Sequence, residues 1–206
     1  MLTIWGRVNS INVQKVLFCA EELGLAYKRV DAGRGFGVND TPEYLAMNPN
    51  GLIPVISDGG FVLWESNAIV RYLCAKHSDG MLWPHDLKAR AEADRWMDWQ
   101  QTTLGPAMNA AFIGSVRTPA EERDAAAIES SCASTEALMS ILDVHLGRHK
   151  WLVGHAFSMA EIAVGAAIHR WLNIPVQRKS RPHIAEWYKT VMQHLGARKI
   201  LALPIT

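Results

Sequence analysis

Over the first 77 residues the apolar positions change period several times. Leu2 to Trp5 ("LTIW") is a short apolar run of strand length. From Asn12 onward, Val13, Val16, Leu17, Ala20 and Leu23 recur at helical spacing until Gly24 stops the pattern. "AYKRVD" alternates as a second strand, "AGRGFGVNDTP" is a glycine-rich loop and "PEYLAMN" a short helical turn. "LIPVIS" and "GFVLW" read as two strands joined by "DGG", a hairpin signal, and a helix follows from Ser66 to about Lys76. The order is β-α-β-(α)-β-β-α.

"HSDGMLWPHD" interrupts every period, so residues 78–86 are expected to link two domains. No strand alternation follows. Apolar spacing predicts helices near 87–112, 119–147, 158–172 and 181–194. In "FSMAEI", Ser158 and Glu161 fit a capping box, and Phe157 with Ile162 fits the flanking hydrophobic staple. The helix they open, "IAVGAAIHRWL", is apolar nearly all round and is expected at the centre of the helical domain. The expected architecture is a small α/β domain over 1–77, a linker over 78–86 and an all-helical domain over 87–206.

Composition mainly excludes. A chain of 206 residues with 49% hydrophobic content can bury one large core or two small ones. With 21 Lys+Arg against 20 Asp+Glu and no basic stripe interleaved with aromatics, nucleic acid is not an expected partner. The 170–199 stretch is locally basic (Arg170, Arg178, Lys179, Arg181, Lys189, Arg198, Lys199 against Glu186) and reads as a solvated helical face, with weak steering of an anionic ligand as the alternative. Cys19, Cys74 and Cys132 are odd in number and form no C-x-x-C, which argues against a disulfide scaffold, a zinc site and a dithiol redox motif. His145 and His149, at i,i+4, and His155 lack a carboxylate at metalloprotease spacing, so no metal is expected. There is no basic leader and no 18-residue apolar run, so a cytoplasmic protein without a membrane segment is expected.

Several residues carry candidate chemistry. Pro54 stands between Ile53 and Val55 in an otherwise strand-like run, where proline is confined to strand starts, edges and bulges. An X-Pro bond also tolerates the cis form far better than others do. Ser66 is an N-cap candidate, and a helix start offers free N–H groups to a carboxylate. Ser10 and Asn12 lie between the first strand and the first helix, where each can cap the helix or reach a ligand. "RWMDWQQTTLGPAM" spaces Trp96, Trp99, Thr103 and Met108 along a helix, a pattern that more often marks core.

Three stretches, "WGRVNSINVQKVLFCAEELGL", "NPNGLIPVISDGGFVLWESNAIVRYL" and "GHAFSMAEIAVGAAI", resemble the cytosolic glutathione transferases, and the resemblance spans essentially the whole chain. The "S-x-N" of Ser10 and Asn12 is similar to bacterial members of the theta- and nu-like type; the tyrosine of the alpha, mu and pi classes is absent there. Glu161 stands where the family usually has aspartate. The resemblance implies a thioredoxin-like glutathione domain, a helical domain lining the acceptor pocket, and a homodimer. By the family pattern Pro54 is cis and frees the N–H and C=O of Ile53 to pair with the cysteine of glutathione. Ser66 with its helix start takes the γ-glutamyl carboxylate, and Glu65 takes the ammonium. Ser10 donates to the sulfur, with Asn12 as a second donor, and Trp96, Trp99, Thr103 and Met108 line the acceptor pocket. Arg7 is left open between a glutathione contact and a solvated charge, and the loop "RGFGVND" within 33–40 is expected to border the glycyl end, its individual roles unassigned. Leu52 occupies a place where theta-like relatives often carry a cation or an amide to meet the glycine carboxylate.

The implied activity is a glutathione transferase that ionises its co-substrate, glutathione, for attack on small hydrophobic electrophiles without a metal. The alternatives are a glutathione-dependent disulfide reductase or peroxidase, and a non-catalytic binding protein on the same fold. A dithiol glutaredoxin is disfavoured because Ser10 stands where that fold carries its reactive cysteine.

Overall fold

In a computed structural model that describes residues 1–78, 80–203 and 205–206, the chain divides into two compact units. One comprises Met1–Trp83 with His194–Leu203; the other comprises Pro84–Gln193 with the last residues of the chain. Asp79, in the expected linker, and Pro204, in the expected helical domain, lie outside the described residues.

The first unit is built on a four-stranded sheet of order β2-β1-β3-β4, with β1 at Leu2–Trp5, β2 at Tyr27–Val30, β3 at Val55–Asp58 and β4 at Phe61–Trp64. β1 and β2 are parallel and therefore need a crossover, which α1 (Ile11–Glu22) supplies. The other two pairings are antiparallel, and β3 turns into β4 through Gly59 and Gly60, both at positive φ (60° and 94°), as a two-residue hairpin turn requires. α2 (Pro42–Met47) starts on Thr41, whose hydroxyl accepts from Tyr44 N–H. α3 (Ser66–His77) follows β4 directly. Every residue of α1 from Val13 to Ala20 is buried, because the helix packs against both α3 and a last helix, α9 (Leu195–Ile200).

That last helix differs from the expectation of a helical domain running to the C-terminus: it belongs by its contacts to the first unit. The approach is close enough that a Cβ on Gly196 would lie 2.3 Å from the Phe18 carbonyl oxygen. The Glu22 carboxylate accepts from Gly196 N–H (3.0 Å) and from His194 Nδ1 (2.7 Å), and Lys199 Nζ donates to Glu21 (2.6 Å). Burial pushes the Glu22 carboxyl up, but the His194 and Gly196 donors together hold it below its ordinary value. No apolar period distinguishes these six residues from the preceding helix. Their partner charges sit 172 to 178 positions away in sequence.

In the second unit α4 spans Leu87–Trp99, α5 Gly105–Phe112, α6 Ala125–Leu146, α7 Met159–Asn173 and α8 Pro182–Val191. Asp86 caps α4 and Asp124 caps α6. The helix expected over 87–112 continues to Arg117 through two wide π turns, Gln100–Leu104 and Ile113–Arg117. Pro106 has no N–H for the carbonyl four residues back, and its ring crowds that carbonyl, so the turn before it widens. The helix expected from 119 begins at Ala125, after a short 3₁₀ turn at Ala120–Glu122.

α7 carries the capping box read from the sequence, and all its residues from Met159 to Trp171 are buried against neighbours that include α4, α5 and α8. Glu161 is fully buried, and its carboxylate accepts from Ser158 N–H (2.8 Å), Ser158 Oγ (2.7 Å) and Leu152 N–H (2.6 Å). Burial pushes its pKa to about 7 against the pull of those donors. Two turns on, buried His169 pairs through Nδ1 with Tyr188 Oη (2.7 Å) and is pushed down to about 4 by burial and by the Arg170 charge.

The basic 170–199 stretch is not simply a solvated face. Arg178 donates to the carbonyls of Trp171 and Ile174, Arg181 binds Glu136, and Arg170 lies over the Phe112 ring at 4.0 Å. These cations tie the end of α7 and the segment after it to α6 and α5.

Candidate functional site

Trp5, Val55 and Trp64 stand opposite one another in register, with Val30 on the far side of Trp5. The row marks one end of the sheet. Beyond it run Gly6–Ser10 after β1, the 31–37 loop after β2, Ile53–Pro54 before β3, and Glu65–Ser66 after β4. Sequence positions up to 60 residues apart are thereby delivered to one place. Arg7 N–H donates to the Ala32 carbonyl (3.1 Å), and a Cβ on Gly33 would meet Ile53 Cδ1 at 3.0 Å, so the loops pack directly on Ile53.

Ser10 is the N-cap of α1. Its backbone is extended (φ −90°, ψ 126°) and its carbonyl accepts from Gln14 N–H (2.8 Å), but its buried hydroxyl makes no capping bond. A serine here would ordinarily turn its oxygen back onto the first helical N–H groups. Asn12 is exposed one turn-step further on. α1 has a serine at its N-cap and no acidic residue in its first turn, so the positive end of its dipole is not offset by its own sequence.

The Ile53–Pro54 peptide bond is cis. Ile53 stands just outside the β1–β3 ladder, which begins at Val55, and the backbone hydrogen bonds of the surrounding loops do not use it. On its other side the Leu52 carbonyl accepts from Tyr44 Oη and Asn48 Nδ2, both at 2.8 Å, which fixes the approach to Ile53. The Leu52 side chain itself is exposed.

The start of α3 differs by one residue from the sequence reading. Its N-cap is Glu65, and Ser66, 3% exposed, is the first helical residue. Glu65 has φ 70°, a region that side-chain-bearing residues enter at a cost of about 1–3 kcal/mol. Nothing in a glutamate announces a left-handed turn, so the displaced cap was not legible. Arg7, half-buried, donates through Nη1 to Asn9 Oδ1 (2.8 Å), and burial together with the Arg34 charge lowers its pKa.

Two polar residues were missed altogether. Lys15, in the second turn of α1, is fully buried, and its Nζ donates to Oδ1 of buried Asn67 at 2.9 Å. The signal was the lack of any polar face on α1: Gln14 and Lys15 sit between Val13 and Val16 with no room for a solvated stripe.

In the second unit Trp96 is buried, edge-on to Trp99 (5.2 Å, 86°) and against the His145 ring (4.9 Å). Met108 is buried, whereas Thr103 is exposed and Trp99 half-buried. Two of the four acceptor-pocket candidates are thus core side chains. His145 spends Nε2 on the Leu152 carbonyl (3.0 Å) and stacks on His149. Among the described residues no group of three or more His, Cys, Asp or Glu could hold a metal ion, and no helix is long and apolar enough to cross a membrane.

The family model described as glutathione S-transferase, N-terminal domain, matches residues 1–75, and that of the C-terminal domain matches residues 100–194. Glutathione S-transferase GstB of Escherichia coli is 44% identical, with the whole of both chains covered. Disulfide-bond oxidoreductase YfcG of the same organism is 29% identical over 87% of this chain and 85% of its own. Among solved structures, the theta class glutathione S-transferase of Xanthomonas axonopodis pv. citri with glutathione bound superposes with a TM-score of 0.96 at 42% identity, covering 100% of this chain and 99% of that one. With family models matching both parts of the chain and a relative 44% identical over its whole length, the chain belongs to the glutathione S-transferase family.

Proposed function

We propose that the first unit binds glutathione and that Ser10 stabilises its thiolate for attack on a small hydrophobic electrophile, whose leaving group departs as the new carbon–sulfur bond forms. The observation that carries this is the Ser10 hydroxyl, placed at a helix start and withheld from capping. A free thiol has a pKa of about 8.5, so only a few per cent is ionised at pH 7. Lowering it by two units takes about 2.7 kcal/mol. One hydrogen bond to a charged acceptor contributes about 1.5–3 kcal/mol, and a helix start about 0.3–1 kcal/mol more. A hydroxyl and the α1 terminus are therefore sufficient without metal or base. Asn12, exposed beside them, is the second donor.

The rest of the peptide fits the same end of the sheet. The backbone of Ile53, outside the ladder and not used by the backbone hydrogen bonds of the surrounding loops, pairs with the cysteinyl unit. The N–H groups at Ser66 take the γ-glutamyl carboxylate, and Glu65 the ammonium. Of the four acceptor candidates, Trp99 and Thr103 are accessible to an acceptor; Trp96 and Met108 support them from the core. The enzyme works as a homodimer in the cytoplasm.

The thiolate absorbance of bound glutathione, titrated against pH, tests the central claim. Ser10→Ala should raise the apparent thiol pKa by about one to two units, or about 1.4–2.7 kcal/mol, with little change in affinity for the un-ionised peptide. If Asn12→Ala alone shifts it, the role belongs to Asn12; if neither does, the hydroxyl assignment is wrong. A second reading, glutathione-dependent disulfide reduction, draws support from the relative named a disulfide-bond oxidoreductase. Turnover of hydroxyethyl disulfide well above that of a chloronitrobenzene and an organic peroxide would favour it.

A further inference from the structure

The candidate site rests on two helix starts, Ser10 on α1 and Ser66 on α3, which belong to elements more than 50 residues apart in sequence. A ligand that touches both reads the offset between the two helices. Lower down, the helices meet through Cys19, whose Sγ lies 3.5 Å from Cys74 Sγ, a weak and soft contact. Higher up, they are joined by a directional bond, Lys15 Nζ to Asn67 Oδ1 at 2.9 Å. Lys15 is five residues beyond Ser10, about 7.5 Å along the axis, and Asn67 directly follows Ser66. Both are essentially sealed from solvent, at 0% and 3% exposure.

Burying an ammonium costs several kcal/mol unless its hydrogens are satisfied. A methionine at position 15 would fill similar space in this core at no such cost. The bond restrains the first turn of α3 against α1, directly behind the residues that face the ligand. We infer that Lys15 and Asn67 act together as a positioning pair, setting the separation between the γ-glutamyl end of the site at Ser66 and the thiol end at Ser10. The inference rests on the glutathione reading above. A supporting shell of this kind matters because misplacement of about 0.5 Å already degrades a site.

The test uses Lys15→Met, Asn67→Leu and Asn67→Asp in the full-length protein. Each is checked for a cooperative melt and then measured for glutathione affinity and for the pKa of the bound thiol. In Lys15→Met and Asn67→Leu the dissociation constant should rise about tenfold, and the thiol pKa should rise as Ser10 loses register with the sulfur. The double substitution should be no worse than either single one, because the two residues act as a unit. On a Ser10→Ala background Lys15→Met should raise the thiol pKa no further, a result that general loosening of the core would not give. Asn67→Asp keeps an acceptor for the ammonium and should stay within about threefold of the parent. Should Lys15→Met fail to fold, Asn67→Leu against Asn67→Asp still decides. The inference is overturned if Asn67→Leu and Asn67→Asp bind alike, or if Lys15→Met shifts the thiol pKa as much without Ser10 as with it. Failure of the parent protein to bind glutathione would instead sink the functional reading.

Discussion

Replacing Glu161 by glutamine should change how stability depends on pH, because the carboxyl is fully buried and its pKa is pushed to about 7. An acid whose folded pKa lies above its unfolded one binds its proton more tightly when folded. Its contribution is therefore complete below about pH 4.5 and is lost as the pH rises through 7. The interval from 4.5 to about 7 is worth about 3 kcal/mol. When protonated, the group can donate to Ser158 Oγ while its oxygens still accept from Leu152 and Ser158 N–H. Glutamine has one acceptor oxygen, so one of those N–H groups loses its partner at a cost of about 1–3 kcal/mol. Denaturant unfolding of both proteins between pH 4.5 and 8 measures the effect. At pH 5 the variant should be the weaker protein by that amount, and by pH 8 the gap should close or reverse. Glu22, which is held low, titrates below this window and cancels in the difference. Parallel stability curves for the two proteins across the window would show that the carboxyl ionises as freely inside the fold as outside it, and the argument would fail.

His169, on the same helix, should act in the opposite sense. Its folded pKa of about 4 lies below its ordinary value, so its contribution is present above about pH 6.5 and is lost as the pH falls, by up to about 3 kcal/mol. His169→Gln should therefore gain on the parent as the pH falls from 6.5 to 4 in the same unfolding assay; a constant offset would count against it. Gly196→Ala places a Cβ 2.3 Å from the Phe18 carbonyl, on backbone that cannot yield, and should destabilise by about 1–3 kcal/mol. An unchanged melting temperature in that variant would mean that α9 is not held where it is described. Glu22→Ala removes the acceptor for Gly196 N–H and His194 and should cost about 0.5–2 kcal/mol in the same assay.

Much of this was legible because it is local. The capping box at Ser158 and Glu161, the Gly59–Gly60 hairpin and the order of strands and helices follow from period and turn chemistry within a few residues. What was hidden depends on distant partners. The missing polar face of α1 hints at the burial of Lys15, but its partner, Asn67, stands 52 positions on. The shift of the α3 cap to Glu65 depends on a positive φ that no glutamate advertises. Trp96 and Trp99 share a helical spacing that fits a core or a pocket equally, and burial alone separates them. The π turn at Gln100–Leu104 follows from one proline whose effect is felt upstream of itself, against the direction in which a sequence is read.

The return of α9 to α1 has a consequence for taking the protein apart. A fragment ending at Trp83 has the whole sheet but not the six residues that cover Phe18 and Glu22, so the face of α1 that packs on α9 would be left open. The two halves are for the same reason not interchangeable cassettes. A chimera joined near residue 84 would set the tail of one parent against the α1 of the other, and Gly196 tolerates no mismatch there. Recombination between relatives should succeed only with two crossovers, one near residue 84 and one near 194, so that the tail travels with the helix it closes.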